Sequence, residues 1–476
     1  MKKKRIESEE IIEKMREFAL KKNIQIYLVG GYIRDKILKR KSKDIDFVME
    51  EDALQIAKEF AEMFSLPSPI FYGRFGTAMI EVNDIKLEFA TARKESYPED
   101  SRKPFVEKAS IYEDLKRRDF TINAIAQNLI TGEILDPFNG RIDIKKKIIR
   151  TPIDPDKTFY DDPLRILRGV RFATKFKFEV EPNTLEGMKK NKERIKIVSE
   201  ERIADEIMKI LECSHPSIGF ELMDKIGLLE IILPEIANLK EQRTDHPCKD
   251  LFSHTLKTLD NTSKLTKNVY IRLSALLHDI GKPYTLKIEK GKVSFHRHEF
   301  VGEKLAYNIC KRLKIGEENS RFIGKLIRFH LRPHLLAKEN PTDSAIRRFI
   351  REVGKDMKAL FIIAKSDLTS RNPQKIKEAL TRLAKLEERI KEINKKDKLS
   401  SFKLAINGFD IMEILKIPEG KKVGIIKEHL ENLVVENKLP NKKKILKKYI
   451  IENKEKLLSL KNGEKRLHGE RCDSCL

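Results

Sequence analysis

The stretch that decides the fold reads Gly30-Gly31-Tyr32-Ile33-Arg34-Asp35 and, after eight further residues, Asp44-Ile45-Asp46-Phe47. Apolar residues in Ile24–Val29 predict a strand that enters the two glycines, and Tyr32–Lys39 predicts the helix that leaves them. Glycines at a strand-to-helix turn allow backbone N–H groups to approach a phosphate closely, and the helix N-terminus adds positive potential. The turn is therefore a candidate phosphate site.

The two aspartates of the second motif are predicted to share one face of a strand, Asp44–Met49. Residues i and i+2 of a strand point to the same side of the sheet, so Asp44 and Asp46 hold two carboxylates close together. Such charges repel, and divalent cations are the usual remedy. Asp-x-Asp alone also fits a polar strand edge, but its position after Gly-Gly-x-x-Arg-Asp favours a metal site.

The composition points to a large protein with a polyanionic partner. The chain has 476 residues, and 98 Lys and Arg against 74 Asp and Glu give a net charge of +24. This length is enough for about three domains. The charge excess favours nucleic acid over an anionic membrane as the partner. The sequence contains no run of about 18 apolar residues, so no transmembrane helix is predicted. The acidic residues that follow Met1–Arg5 argue against a signal peptide.

Cysteine usage bears on the compartment. Five cysteines in a chain of this length favour a reducing environment, so a cytoplasmic location is predicted. Only Cys472 and Cys475 have the spacing of metal ligands. Without a second such pair, an exposed tail is the favoured interpretation.

The pattern along the chain divides it into four predicted domains. The first mixes short strands with helices, including a helix at Ala53–Phe64 and strands at Thr77–Val82 and Lys86–Thr91. After it the pattern becomes almost entirely helical. The predicted domains are an α+β head at 1–148, a neck at 149–240, a histidine-rich body at 241–370 and a basic helical tail at 371–476.

Five ordered motifs connect the head and neck with a known family. The first is the pair of stretches quoted above, and the others are Arg117–Asn123, Asp136–Gly140, Asp161–Phe172 and Ser199–Glu206. Together they resemble the class II nucleotidyltransferases of the DNA polymerase β superfamily, which include tRNA nucleotidyltransferases (CCA-adding enzymes) and bacterial poly(A) polymerases. The resemblance implies an α+β head of the DNA polymerase β nucleotidyltransferase type, followed by a mostly α-helical neck, body and tail.

The resemblance and the chemistry of phosphoryl transfer assign roles to the head residues. Nucleotide transfer needs alignment and electrostatic stabilisation, which two metal ions supply at the attacking and leaving oxygens. Asp44 and Asp46 are the predicted Mg²⁺ ligands, and Glu88 is either a third carboxylate or the ion-pair partner of Arg93. The predicted nucleotide-binding residues are Gly31 and Arg34 for the triphosphate, and Arg118, Asp119 and Asn123 for phosphate and ribose, whereas Arg117 also fits a surface charge.

A carboxylate and a guanidinium in the neck are predicted to read the base. Asp162 and Arg165 are spaced i, i+3 on a helix expected at Pro163–Phe176, so they share a face. A carboxylate accepts hydrogen bonds and a guanidinium only donates them, which fits the amino groups and ring acceptors of cytosine and adenine. CTP and ATP are therefore preferred over UTP and GTP. A plain helical salt bridge is the alternative, and Arg168 and Arg171 extend the arginine row towards phosphate or tRNA.

Two further stretches bear on the choice between the family's activities. Phe75-Gly-Thr-Ala and the loop Thr91–Asp114 resemble tRNA nucleotidyltransferases more than poly(A) polymerases. The predicted function is therefore addition of C and/or A to the tRNA 3′ end, as CCA, as CC only or as A only. Poly(A) polymerase stays the alternative, and the full-length loop leans against a CC-only enzyme.

Histidines and aspartates of the body resemble the metal-binding set of an HD phosphohydrolase domain. The adjacent pair His278-Asp279 lies inside the apolar stretch Ala275–Lys282, where a helix would otherwise bury two polar groups without partners. A mixed imidazole and carboxylate set suits a divalent transition metal. The resemblance implies that the ligands are His254, His278, Asp279 and Asp367, with His298 and His330 at a second metal or phosphate position and His296 as the alternative to His298.

The task of the body and tail is predicted from the same resemblance. An active HD domain would be a phosphoesterase that repairs tRNA ends, such as 2′,3′-cyclic phosphates, and a degenerate scaffold is the other interpretation. Lys-rich helices such as Lys442–Lys448 fit either a solvated face or contacts with the tRNA backbone, which give affinity without base readout. The predicted partners are tRNA, CTP and ATP, with no membrane; the sequence gives no indication of an oligomeric state.

Overall fold

The computed structural model describes residues 7–73, 76–96, 105–240, 250–290, 292–339, 341–370, 372–397, 403–435 and 438–460. Backbone contacts divide the chain into two compact units, Met1–Glu241 with Ile309–Ile315 and Gln242–Asn308 with Gly316–Leu476. Five features named above lie outside the described residues: Met1–Arg5, Phe75, residues 97–104 of the loop, Cys472 and Cys475.

A seven-stranded sheet is the framework of the first unit. In chain order the strands are β1 Ile26–Val29, β2 Asp44–Met49, β3 Ile70–Tyr72, β4 Thr77–Val82, β5 Ile85–Thr91, β6 Arg93–Ser96, β7 Phe105–Lys108, β8 Ala126–Asn128, β9 Ile134–Leu135, β10 Ile148–Ile149 and β11 Glu179–Val180. The sheet order is β3-β4-β5-β2-β1-β8-β9, whereas β6 pairs with β7 and β10 with β11. Within the large sheet β2 and β5 run parallel and the other neighbours are antiparallel.

The helices of the first unit follow the predicted pattern closely. In chain order they are α1 Ser8–Lys22, α2 Gly31–Ile37, α3 Ala53–Met63, α4 Ile111–Lys116, α5 Gly140–Lys146, α6 Pro155–Asp161, α7 Leu164–Phe176, α8 Pro182–Asn191, α9 Glu200–Leu211, α10 Ser217–Lys225, α11 Leu229–Ile232 and α12 Pro234–Ala237. The predicted strand–helix–strand–helix order of β1, α2, β2 and α3 is confirmed, with ends shifted by one or two residues.

The alternation of side chains along β2 and β5 separates an apolar face from a polar one. Phe47 and Phe89 are buried and lie 5.4 Å apart between ring centroids. Phe60 of α3 contacts Phe89 at 5.8 Å and Phe18 of α1 at 5.7 Å, so both helices cover this face. Successive strand residues point to opposite sides of a sheet. Asp46 and Glu88, which directly precede Phe47 and Phe89, therefore face the other side.

The motif Asp136–Gly140 is a tight entry into α5. Asp136 Oδ1 accepts a hydrogen bond from the Gly140 N–H at 2.6 Å, as an aspartate before a helix commonly does. A Cβ at Gly140 would lie 2.1 Å from the carbonyl oxygen of Thr121. Thr121 begins a single 3₁₀ turn, Thr121–Asn123. The glycine therefore lets α5 support this turn by direct backbone contact.

Gly140→Ala is expected to lower the free energy of unfolding of the first unit by about 3 kcal/mol, because the methyl group meets backbone atoms that have no rotamer to change. Gly132→Ala is the matched control. Gly132 has a φ of +74° but nothing within 4 Å of its Cβ position, so only backbone strain of about 1 kcal/mol is expected. Urea unfolding followed by circular dichroism measures both losses, and equal losses would contradict the close approach of α5 to Thr121.

The second unit is helical, apart from one hairpin in its described residues. Its helices are α13 Leu251–Leu265, α14 Val269–Leu277, α15 His298–Arg312, α16 Glu317–Phe329, α17 Arg332–Lys338, α18 Asp343–Val353, α19 Met357–Ser366, α20 Pro373–Asp397, α21 Gly408–Leu415, α22 Lys421–Val435, α23 Lys443–Glu452 and α24 Lys454–Ser459, and its strands are β12 Lys287–Glu289 and β13 Lys292–Ser294. The hairpin is compatible with the mostly helical prediction, and in it Ile288 pairs with Val293 while both alternate with polar residues.

Two apolar cores hold the helices of the second unit together. One gathers side chains of α14 and α16 to α20, including Ile271, Leu360 and Leu386. The other gathers side chains of α21 to α24, including Ile426 and Leu446. In the described ranges, no helix has both the length and the apolar character to cross a bilayer.

Candidate active site

Three acidic side chains face one side of the sheet in the first unit. β2 and β5 pair with Asp46 opposite Glu88, and Asp44 lies two residues earlier on the same side. The strand that carries Glu88 thus lies directly beside the strand that carries Asp44. Burial and the charges of Glu88 and Asp44 raise the pKa of Asp46 to about 6, against the opposite influence of Arg118 and Arg34. The neighbouring arginines therefore neutralise the negative charge of these carboxylates only in part.

The glycine turn brings the main chain close to these carboxylates. Gly30 has a φ of +64°, and a Cβ there would lie 2.7 Å from Arg118 Nη1 and 3.5 Å from Asp46 Oδ2. Gly31, which the sequence analysis named, lies in α2, and a Cβ there would meet Arg34 Nη2 at 3.6 Å, an ordinary contact. The strict requirement for glycine therefore falls on Gly30, because it combines a left-handed φ with crowding.

A buried aspartate links the helix α7 to this turn. Arg168 of α7 donates to Asp119 Oδ2 from both Nε and Nη2, at 2.8 and 2.7 Å. Asp119 Oδ1 accepts a hydrogen bond from Asn123 at 2.9 Å, and Asn123 Oδ1 accepts one from Arg34 at 2.5 Å. Burial by itself raises the pKa of Asp119, but Arg168 and Asn123 outweigh it and hold the pKa at about 2. Asp119 is therefore ionised at neutral pH.

A second buried aspartate, not singled out from the sequence, holds the two neighbouring arginines. Asp114 accepts hydrogen bonds from Arg117 at 2.5 Å and from Arg118 at 3.0 Å. Glu95 pairs with Arg117 at 2.9 Å and with Arg93 at 3.1 Å. Arg117 is thus part of a partly buried network, and the surface-charge interpretation is wrong. The i, i+3 and i, i+4 spacing from Asp114 is the signal that could have found it.

Asp162 and Arg165 reach one pocket by a local structure different from the predicted one. Asp162 is extended, with φ −138° and ψ 97°, and separates α6 from α7. The prediction that both residues lie on one helix is wrong, because Pro163 disfavours the helical conformation for the residue before it. Arg165 is buried in the first turn of α7, where its Nη2 donates to the Arg117 carbonyl oxygen at 2.8 Å. Both side chains nevertheless line the same pocket.

One pocket of about 1010 Å³ collects every nucleotide-site residue predicted for the first unit. Its lining includes Gly31, Arg34, Asp44, Asp46, Glu88, Arg118, Asp119, Asn123, Asp162, Arg165, Arg168 and Arg171. Arg171 is held by Glu206 at 2.6 Å. Lys175 and Ile197 also line it and were not singled out from the sequence. Lys175 follows Arg171 by four residues on α7, a spacing that places both on one helix face.

The six predicted metal ligands of the second unit meet in two groups of three. Within each group the ligand atoms lie within 4.8 Å of one another. The groups are His254, His278 and Asp367, and Asp279, His298 and His330. His296, the alternative to His298, belongs to neither group found among the described residues.

The ring orientations of these histidines suit a metal. Three of them, His278, His298 and His330, have Nδ1 at hydrogen-bond distance from a main-chain carbonyl oxygen, which can only accept. The acceptors are Ala275, Phe295 and Ile327, at 2.7, 2.9 and 2.7 Å respectively. Nδ1 therefore carries hydrogen in each ring and Nε2 points inward. This is the usual outer-shell arrangement of metal-bound histidine.

The Nε2 atoms approach one another in pairs. His254 and His278 have their Nε2 atoms 3.3 Å apart, and His298 and His330 do likewise. Burial lowers the pKa of His330 to about 3, so this ring is neutral. Burial also opposes protonation of His278, but Asp279 and Asp367 outweigh it and raise its pKa to about 10. A dication bound at this position would replace such a proton, because metal ligands must be deprotonated.

Comparisons with known proteins identify domains in the two parts of the chain that contain these residues. Models of the poly A polymerase head domain, of a probable RNA- and SrmB-binding site of polymerase A, and of the HD domain match residues 26–150, 177–240 and 251–372. A multifunctional CCA protein of Psychromonas ingrahamii is 34% identical over 316 residues, covering 62% of this chain and 72% of that protein. The chain belongs to the tRNA nucleotidyltransferase and poly(A) polymerase family. It is a nucleotidyltransferase with an HD domain.

Other members resemble this nucleotidyltransferase over different shares of their length. An A-adding tRNA nucleotidyltransferase of Aquifex aeolicus is 39% identical over 326 residues, which are 61% of this chain and 37% of that protein. The solved structure of an apo CCA-adding enzyme matches with a TM-score of 0.60 at 23% sequence identity. The match covers 94% of this chain and 97% of that enzyme's chain. That structural likeness establishes the fold, and the predicted α+β head with a mostly helical remainder is confirmed.

Asp46→Asn is expected to stabilise the metal-free nucleotidyltransferase at neutral pH. The folded-state pKa of Asp46, about 6, lies above the ordinary aspartate value, so stability is lost as the pH rises from that ordinary value to about 6, and the loss is complete above it. In chelator, the melting temperature should rise at about pH 7.5 and change little near pH 4, where folded wild-type protein is already protonated at Asp46.

The exposed Asp44 provides the control for this prediction. Asp44→Asn should give a smaller rise at neutral pH, because its carboxylate stays hydrated. A fall in melting temperature for Asp46→Asn at neutral pH would contradict the crowding of carboxylates on β2 and β5.

Proposed function

We propose that this nucleotidyltransferase adds C and/or A to the 3′ end of tRNA, using CTP and ATP. The observation that carries the proposal is the shared pocket, in which Asp162 and Arg165 lie with the acidic face formed by Asp44, Asp46 and Glu88. The names of the relatives from Psychromonas ingrahamii and Aquifex aeolicus support the same substrates. A cytoplasmic location is part of the proposal and rests on the sparse cysteines.

Mg²⁺ is the proposed cofactor of this pocket, with Asp44 and Asp46 as ligands and Glu88 as a third carboxylate. Carboxylate oxygens are the ligands that Mg²⁺ prefers. Burial and the charges of Glu88 and Asp44 raise the pKa of Asp46, and a bound dication would relieve the repulsion among these carboxylates. When bound, two such ions supply Lewis-acid stabilisation of the attacking and leaving oxygens.

The protein's own groups would position the nucleotide. Gly30 leaves room for a phosphate beside Arg118, whose guanidinium Asp114 already holds in place. Asp119 and Asn123 would receive the ribose and neighbouring phosphate. Because Arg168 fixes Asp119, these groups require little reorganisation when the nucleotide binds.

Asp162 and Arg165 would select the base. The carboxylate of Asp162 accepts from the amino group of cytosine or adenine, and Arg165 donates to the adjacent acceptors. Uracil and guanine present a carbonyl oxygen to the carboxylate instead, and two acceptors facing each other repel. This chemistry favours CTP and ATP without a nucleic-acid template.

The four domains carry separate parts of the proposed activity. We assign catalysis to the head at 1–148, base and RNA binding to the neck at 149–240, an HD phosphohydrolase centre to the body at 241–370 and tRNA binding to the tail at 371–476. The tail's long helix α20 and its lysine-rich α23 provide cations for phosphate contacts, which give affinity that falls with salt.

A second activity is proposed for the HD domain because its six ligands converge. The two groups of imidazole and carboxylate ligands would hold divalent transition metals, and a bound ion supplies a water of lowered pKa for attack on phosphorus. The proposed reaction is hydrolysis of phosphate esters at tRNA ends, including 2′,3′-cyclic phosphates. The inward-facing Nε2 pairs support this over a scaffold without metal.

The HD activity is tested with a tRNA that ends in a 2′,3′-cyclic phosphate, incubated with Ni²⁺ or Mn²⁺. Ring opening that His278→Ala removes, while nucleotide addition to a tRNA with a free 3′ end persists, would support the proposal. Absence of hydrolysis with either metal would leave the HD domain as a scaffold.

The nucleotidyltransferase activity is tested with three tRNA transcripts that end before CCA, after its first C and after CC, each with every NTP and Mg²⁺. Sequencing of the added nucleotides distinguishes the outcomes. Ordered C, C and A that stops at CCA establishes the complete activity, and C only or A only assigns a split pathway. Long A tails on unstructured RNA would replace the proposal with poly(A) polymerase.

Asp162→Asn is expected to weaken base selection. An amide both donates and accepts, so it tolerates the carbonyl oxygens of uracil and guanine as well as amino groups. Loss of the charge-assisted hydrogen bond should lower kcat/KM for CTP and ATP by about tenfold or more, while the share of UTP and GTP incorporation rises. Asp161→Asn is the neighbouring control. Unchanged selectivity in Asp162→Asn would contradict its role.

A further inference from the structure

One histidine of the HD centre is oriented by a side chain instead of by the main chain. Nδ1 of His254 lies 2.7 Å from the hydroxyl oxygen of Thr369. The other three ligand histidines each direct Nδ1 to a carbonyl oxygen, as described above, and no substitution removes those acceptors. Among the Nδ1 contacts of these four histidines, the one to Thr369 is therefore the contact that a single side-chain substitution can delete.

Thr369 is held in place by the helix that carries His254. It lies just after α19, and Lys257 of α13 donates to its carbonyl oxygen at 3.2 Å. Asn261, one turn further along α13, donates to the carbonyl oxygen of Ser366 at 3.1 Å. These two contacts fasten the segment 366–369 onto α13, so the hydroxyl is presented to the ring in a fixed position.

Residues 367–369 of this segment contact both nitrogens of the His254 ring. Asp367 Oδ1 lies 2.9 Å from Nε2 of His254, while Thr369 contacts Nδ1. Asp367 and His254 belong to one ligand group. A segment of three residues thus supplies a ligand and fixes the direction of the ligand beside it.

We propose that Thr369 is a positioning residue of the HD metal centre, an inference that rests on the metal binding proposed above. Its hydroxyl accepts the Nδ1–H of His254, which leaves the Nε2 lone pair for the metal. Outer contacts of this kind keep the ring from turning, and their loss commonly lowers metal affinity by about 10- to 100-fold. Nothing in the sequence marks Thr369, because its partner lies 115 residues away.

The test is Co²⁺ binding to the full chain, measured by competition with a chromophoric chelator and by visible absorption of the bound ion. Thr369→Val replaces the hydroxyl by a methyl group of similar size and should weaken binding by about 10- to 100-fold with an altered spectrum. Thr369→Ser keeps the acceptor and should restore affinity to within about threefold of wild type. Ser370→Ala, next in the chain, is the matched control and should bind as wild type does.

The outcomes separate failure of the inference from failure of the metal centre. Wild-type affinity in Thr369→Val, with binding lost in His254→Ala, would overturn the role of Thr369 and leave the centre standing. Absence of stoichiometric Co²⁺ binding in wild type would overturn both. If Thr369→Val does not fold, judged by its melting curve without metal, Thr369→Ser decides: an affinity loss as large as that of His254→Ala would overturn the role of the hydroxyl.

Discussion

The ion pair between Asp119 and Arg168 joins the two parts of the pocket. Asp119 lies two residues before the 3₁₀ turn that carries Asn123, and Arg168 belongs to α7, which also carries Arg165. Two guanidinium nitrogens of Arg168 contact one carboxylate oxygen of Asp119. The other oxygen accepts a hydrogen bond from Asn123, which in turn accepts one from Arg34. Loss of Arg168 would leave the buried carboxylate of Asp119 without its charged partner, a costly state.

The pocket is built so that its charges are in place before a nucleotide arrives. Its arginines are held by acids of the protein: Asp114 holds Arg117 and Arg118, and Glu206 holds Arg171. The carboxylates of the sheet are less well balanced, and burial together with the charges of Glu88 and Asp44 raises the pKa of Asp46. In the proposed function one wall would bind a metal ion and the other a nucleotide, and fixed charges of this kind stabilise a transition state without reorganising.

Local patterns predicted the elements of the head well, because apolar alternation and glycine turns act over a few residues. β2 agrees with its predicted bounds, and the facing of Asp44 and Asp46 follows from strand geometry alone. Asp162 lies outside the predicted helix because Pro163 disfavours the helical conformation at the preceding residue. Asp114 could have been found from its spacing to Arg117 and Arg118, three and four residues later. Thr369 could not, because its partner His254 lies 115 residues away.

The energetic coupling between Asp119 and Arg168 links the neck helix α7 to the head. A double-mutant cycle with Asp119→Asn, Arg168→Gln and the double variant measures it directly through the free energy of unfolding of the first unit. We expect a coupling energy of about 1–3 kcal/mol, since the two side chains are in direct hydrogen-bonded contact. Additive effects, within about 0.3 kcal/mol, would show that the two residues act independently and would contradict it.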